Sequence, residues 1–220
     1  MAAYFNLTLD TTAPGGVTLN INNGALYVST TTVTLQIGCS DGDKTGYSMK
    51  IWGIQGATSE AQASWETYSA SKQVSLTSGN GLKTVYVKVR DAVYNESSAA
   101  SKSVTLNTSI PTVTITGPDV DIISKVTGKN TSTFNFTSDE LFDEYKVGIV
   151  PAVNSAASAC TVIGTTGGSA NTSGSAGDYP AETNIQVTIK GSDYETAVGG
   201  SDGTYIVKCF VKNKAGTWSA

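Results

Sequence analysis

Gly81-Leu-Lys-Thr-Val-Tyr-Val-Lys-Val-Arg-Asp-Ala-Val-Tyr-Asn-Glu-Ser97 decides the fold, because the chain contains it twice. The echo is Gly203-Thr-Tyr-Ile-Val-Lys-Cys-Phe-Val-Lys-Asn-Lys-Ala-Gly-Thr-Trp-Ser219, aligned without a gap at an offset of 122 (81 to 203). Val85, Val87 and Val89 fall on Val207, Cys209 and Val211. Strict alternation puts one apolar face inward and Lys88 and Arg90 outward, the pattern of a half-buried β-strand. A repeat near half the chain length means two copies of one domain.

A chain of 220 residues suits two such domains, each large enough for its own core. Thr and Val favour pleated surfaces, and no stretch holds the i, i+3, i+4, i+7 apolar spacing of a helix, so the composition predicts an all-β fold. The formal charge is −4 and Lys/Arg do not cluster, which argues against a grip on nucleic acid or an anionic membrane. Met1-Ala-Ala-Tyr-Phe-Asn6 has neither the basic nor the apolar region of a secretion signal, and no run approaches a membrane span. The three cysteines, Cys39, Cys160 and Cys209, show neither zinc spacing nor a disulfide framework.

Further runs pair between the copies. Leu7-Thr8-Leu9 precedes Pro14 as Val104-Thr105-Leu106 precedes Pro111, and in both places Pro ends an extended run. Val17–Ile21 answers Val113–Thr116, and Val33–Ile37 answers Phe134-Asn135-Phe136. Tyr47–Ile51 is matched to Tyr145–Ile149, and Val74–Leu76 to Ile185–Ile189. Short strands spaced by Gly, Asn, Asp and Ser predict two tandem β-sandwiches. The expected limits are an N-terminal arm over 1–10, a first domain over 11–108 and a second over 109–220. Asn154 to Glu182 reads as a surface loop with one short strand at Cys160–Ile163, and Gly191 to Gly203 as a longer form of the Ser78–Gly81 turn.

Asp10-Thr-Thr-Ala-Pro14, the Trp65/Tyr68 pair, Gly81–Asp91 and Asn95-Glu-Ser97 together resemble bacterial and phage immunoglobulin-like repeats. The second copy departs from that pattern: Asn213 replaces Asp91, and no Trp-x-x-Tyr is present. The resemblance implies a non-enzymatic structural protein of a phage virion, a capsid decoration or tail appendage, made in the host cytoplasm. Its implied partners are other virion proteins of capsid, neck or tail, copies of itself, and a host-surface glycan. The alternatives are a bacterial surface adhesive or spacer module and a carbohydrate-binding accessory module.

The residues themselves offer little catalysis. With no histidine the chain lacks the commonest general base, and no cofactor motif is present. Asp41/Asp43 and Asp139, Glu140, Asp143 and Glu144 are candidate calcium ligands only if backbone carbonyls complete six or seven oxygens. Trp52, Trp65, Tyr68 and Trp218 are candidates for a sugar-stacking platform; the competing reading lays Trp65 and Tyr68 over the core. Lys88, Arg90, Lys208 and Lys212 read as solvated strand faces. Asn-x-Ser/Thr sequons at Asn6, Asn95, Asn107, Asn130, Asn135 and Asn171 are discounted without a eukaryotic secretion signal.

The two ends do not match. After Ser97 the first copy continues into Val104-Thr-Leu106, whereas no such strand follows Ser219. Leu7, Thr8 and Leu9 lie where the last strand of a preceding domain would lie. They are therefore a candidate inter-subunit or anchoring strand, because an open sheet edge invites strand addition. The alternative is that the arm adds to its own first domain.

Overall fold

The structure is a computed structural model that describes residues 4–164, 172–174 and 176–220. It divides the chain into two compact units, 1–108 and 109–220. Both are β-sandwiches, and among the described residues no helix is long and apolar enough to cross a membrane.

Among the described residues the first unit holds eight strands: β1 (Thr18–Ile21), β2 (Tyr27–Val28), β3 (Thr32–Gly38), β4 (Ser48–Trp52), β5 (Glu66–Thr67), β6 (Ser71–Ser75), β7 (Gly81–Arg90) and β8 (Ala100–Leu106). One sheet runs β1-β3-β6, the other β2-β8-β7-β4-β5. All neighbours are antiparallel except β2 and β8, which run parallel. The alternation seen in the sequence becomes the core: Val85, Val87 and Val89 of β7 are fully buried against Leu35, Met49, Ile51, Val104 and Leu106. Each such side chain contributes about 1.5–3 kcal/mol by leaving water.

The second unit repeats the plan with β9 (Val113–Thr116), β10 (Thr131–Ser138), β11 (Phe142–Val150), β12 (Thr161–Val162), β13 (Ser173–Gly174), β14 (Ile185–Lys190), a short helix α1 (Gly191–Ala197) and β15 (Ile206–Asn213). One sheet is β9-β10-β14; in the other, β11 pairs with β12, β13 and β15. Phe134, Phe136, Phe142, Tyr145, Val147 and Val211 fill the core. The 191–203 segment is therefore not a longer turn. It begins with a helix whose Tyr194 packs edge-on against Tyr205, 6.0 Å between ring centres.

The repeat holds down to single hydrogen bonds. Ser97 N–H donates to Val89 O and Ser97 Oγ accepts from Val89 N–H; Ser219 and Val211 do the same. Asp91 Oδ1 accepts from the N–H of Val93 and of Asn95, and Asn213 Oδ1 from those of Ala215 and Thr217. Asn213 is thus no break in the pattern, because an amide oxygen accepts as a carboxylate does.

The matched register of the central strands needs a correction. Met49 stands opposite Val89, and Tyr145 opposite Val211, so Met49 corresponds to Tyr145 rather than to Val147. The slip is two residues. It keeps every side chain on its face and is therefore invisible to alternation.

Candidate functional site

With Met49, Ile51, Val87 and Val89 turned inward, Lys50 and Trp52 of β4 and Tyr86, Lys88 and Arg90 of β7 face outward. Trp52 is no open platform: it stacks on Tyr86 with ring centres 5.3 Å apart and planes 6° apart, and is only 8% exposed. Lys88 pairs with Glu60 at 2.7 Å and Glu96 at 3.8 Å, and the Glu60 hydrogen bond raises its amine above the usual range. Tyr68 covers the core as expected, its hydroxyl donating to Ile37 O at 2.9 Å. Trp65 does not. It lies on the outer face, with the Lys50 amine 4.8 Å and the Arg90 guanidinium 4.3 Å from its ring centre.

Arg90 is the unusual member of this face. A second ring, Tyr94, stands 4.4 Å from the same guanidinium, so the cation is held by two aromatic faces. Tyr94 is 68% exposed and has a φ of 71°, a left-handed geometry uncommon for a bulky residue. Among the described residues no carboxylate pairs with Arg90, and its buried Nε makes no hydrogen bond. Arg90 is therefore neither simply solvated nor neutralised, and Tyr94 is the contributor that sequence reasoning missed.

The second sandwich repeats the cations and loses the opening. Lys146 and Lys212 stand where Lys50 and Arg90 stand, with Trp218 over both at 4.7 and 5.6 Å. This Trp arrives from the chain after β15, whereas Trp65 precedes β5. Lys212 pairs with Glu144, and the Lys146 amine donates to Ala157 O. Gly148 occupies the position of Trp52, and a Cβ there would run into Thr161 O and Cys160 Sγ. Without that Cβ the 157–162 segment packs down, and Val150, Ala157 and Phe210 close into a small outer core.

The acidic residues serve local turns. Asp41 accepts from Gly15 N–H and from the Tyr47 hydroxyl at 3.0 Å; burial and that bond push the Tyr47 hydroxyl up to about 12. Asp43 accepts from Thr45, Asp139 from Thr112 N–H, and Asn213 Nδ2 donates to Glu140. Asp143 Oδ1 is buried without a hydrogen bond. Among the described residues no three His, Cys, Asp or Glu side chains form a metal-holding group, and no catalytic constellation is assembled. Cys209 lies in the second core, where burial pushes its thiol far up, and all three cysteines are free. Asn171 and Met1–Ala3 lie outside the described residues.

Leu7, Thr8 and Leu9 form no strand and make no ladder with the first sandwich. Leu7 is 87% and Leu9 86% exposed. Among the described residues of the arm, none pairs as a strand with the first sandwich.

No protein-family model matches the sequence, and no curated protein matches it. Among solved structures the chain is similar to fibronectin(III)-like modules of Clostridium thermocellum CbhA, at 9% identity and a TM-score of 0.47, covering 92% of this chain and 89% of that one. It is similar to chitinase ChiA74 from Bacillus thuringiensis (16% identity, TM-score 0.32, 84% of this chain and 28% of that one). It is also similar to the chicken CNTN1 FN1-FN3 domains (11%, 0.39, 96% and 62%). The expectation of a phage virion or capsid decoration protein is corrected by these comparisons: bacterial modules, a chitinase and a vertebrate protein appear, and none of the three is viral. The immunoglobulin-like motifs reported a sandwich, which unrelated proteins share, and carried no information about the particle it belongs to.

Proposed function

We propose that the chain is a non-catalytic adhesive and carbohydrate-binding accessory module, which engages a carboxylate-bearing polysaccharide through the outer face of its first sandwich. The observation that carries this reading is Arg90, fixed between Trp65 and Tyr94 with no carboxylate partner among the described residues. A guanidinium offers a planar fork of donors that matches a uronate carboxylate, and the flanking rings spare it much of the entropy of being ordered on binding. Exposed Tyr94 adds an aromatic surface beside the fork. The matching face of the second sandwich is covered, which leaves the first as the binding domain.

Calorimetry with a polyuronate and a neutral glucan of equal length tests the reading. The polyuronate should bind, the neutral chain should bind at least about tenfold more weakly, and Arg90→Ala should remove about 1.5–3 kcal/mol, roughly ten- to hundredfold in Kd. Arg90→Lys should not restore binding, because an ammonium lacks the fork. Equal binding of both polymers, or binding untouched by Arg90→Ala, sinks the reading.

A further inference from the structure

We infer that Tyr94 is a ligand-contact residue, held in a left-handed backbone conformation so that the open face of its ring takes the C–H face of a sugar. This role rests on the polyuronate reading of Arg90: Tyr94 would hold the ring of the sugar whose carboxylate the guanidinium receives.

The second sandwich shows what the turn after β7 requires. Asp91-Ala-Val-Tyr-Asn95 and Asn213-Lys-Ala-Gly-Thr217 stand at the same place in the repeat and make the same main-chain bonds. Asp91 N–H donates to Asn95 O and Tyr94 N–H to Asp91 O, both at 3.2 Å. Asn213 N–H donates to Thr217 O and Gly216 N–H to Asn213 O, both at 2.9 Å. In each turn the fourth residue is left-handed, Tyr94 with a φ of 71° and Gly216 with a φ of 84°. Glycine adopts that geometry without steric cost, whereas a residue with a Cβ is strained in it. A Cβ at Gly216 would meet nothing within 4 Å, so backbone geometry alone sets the preference there.

Tyr94 gains too little within its own domain to offset the strain. It is 68% exposed and Val93 beside it 57%, so the tip of the turn holds two apolar side chains in water. Ala215 and Gly216 occupy those places in the second copy. The contact with Arg90, 4.4 Å from guanidinium to ring centre, is a cation–π pair at an exposed site, worth less than a left-handed conformation costs a bulky residue. Nor does covering the cation need Tyr94. Trp65 already stands 4.3 Å from Arg90, and in the second copy Trp218 lies over Lys212 from the position of Glu96. A strained residue that persists in an exposed turn points to a use outside folding.

The turn is built to hold that strain. Asp91, 4% exposed, accepts at Oδ1 from the N–H of Val93 and of Asn95, and at Oδ2 from Asn95 Nδ2. The Tyr94 ring is thus fixed with one face on the guanidinium and the other towards solvent. A pyranose presents a face of C–H groups that packs on such a ring, with its carboxylate at the edge, beside the fork. A ring already in place spares the entropy of ordering it on binding.

Calorimetry with the polyuronate, paired with thermal unfolding, tests this. Tyr94→Gly should weaken polyuronate binding about tenfold, yet leave the first-domain midpoint no more than about 4 °C below wild type, because glycine is the residue the turn prefers. Tyr94→Phe should bind as wild type does, since the ring face and not the hydroxyl makes the contact. In the bound chain, nuclear Overhauser contacts should join the Tyr94 ring to sugar C–H protons. Gly216→Ala should lower the second-domain midpoint by about 4–8 °C, which reads the cost of the left-handed position where no ring is at stake. Binding lost with Arg90→Ala but untouched by Tyr94→Gly overturns the inference and leaves the Arg90 reading standing. A Tyr94→Phe chain as weak as Tyr94→Gly, a larger fall in the Tyr94→Gly midpoint, or a neutral Gly216→Ala overturns it as well. A wild-type chain that binds no polyuronate fails the Arg90 reading itself, and the role of Tyr94 falls with it.

Discussion

Leu106 and Leu9 occupy the same place in the repeat and opposite environments in the single chain, 0% and 86% exposed. Truncating each to Ala therefore separates a side chain that fills a core from one that stays in water. Leu106 is paired with Gly81 on one side and Val28 on the other, inside the first core, where the cavity left behind cannot collapse without moving β7 or β2. Enclosed Leu→Ala changes cost 2.7–5.0 kcal/mol in a well-studied series, so about 3 kcal/mol is expected for Leu106→Ala. For a domain of this size that lowers the first-domain midpoint by about 12–20 °C. Leu9→Ala should cost about 0 in dilute solution, since nothing of the side chain leaves water there. Urea and thermal unfolding followed by tryptophan fluorescence measure both, with Trp52 and Trp65 in the first unit and Trp218 in the second. A cost below about 1 kcal/mol for Leu106→Ala, or a lowered transition for dilute Leu9→Ala, refutes the reasoning.

Two further outcomes follow from the first unit. Burial works to raise the Asp91 carboxyl, but hydrogen bonds from the Asn95 side chain and from the backbone N–H of Asn95 and Val93 outweigh it and hold the group below its usual range. A depressed folded value gives stability that is present above the unfolded value, near 4, and is lost as pH falls through the folded one, so Asp91→Asn should flatten the acid limb of first-domain melting; an unchanged acid slope counts against it. Gly53 has a φ of 79° just past β4, and a Cβ there would meet Thr84 O of β7, so Gly53→Ala should destabilise the first unit by more than about 1 kcal/mol in urea unfolding, where a neutral result would contradict the turn geometry.

The fold was legible because the same strand is written twice, and two sightings of one alternation fix both the element and the domain count. What escaped the sequence has identifiable causes. Tyr47–Ile51 was set against Tyr145–Ile149 because alternation repeats every two residues and cannot distinguish Met49 over Tyr145 from Met49 over Val147. The helix Gly191–Ala197 was hidden because seven residues are too few for a helical period to show. Asn213 looked like a departure because its identity changed while its oxygen kept its partners. At the outer face, Lys88 and Arg90 are readable as outward, but which cation stays unpaired depends on Glu60 and Glu96, brought to Lys88 by folding. The family motif lays Trp65 over the core as one of its two readings, yet the pairing of β5 with β4 carries it to the cationic face.

The two copies differ chiefly in what they leave uncovered, and the differences are complementary. The first fills the slot beside β7 with its own β8 and leaves Arg90 unpaired between Trp65 and Tyr94 on its outer face. The second neutralises the matching cation with Glu144 and folds the 157–162 segment over that face. Gly148 links these changes: the loss of the Trp52 side chain at that position admits the covering segment, so the second outer face closes by close backbone packing rather than by an aromatic stack. Had the copies drifted without consequence, losses of cover would fall on either domain alike. Instead, among the described residues, the first outer face leaves its cation unpaired where the second covers it.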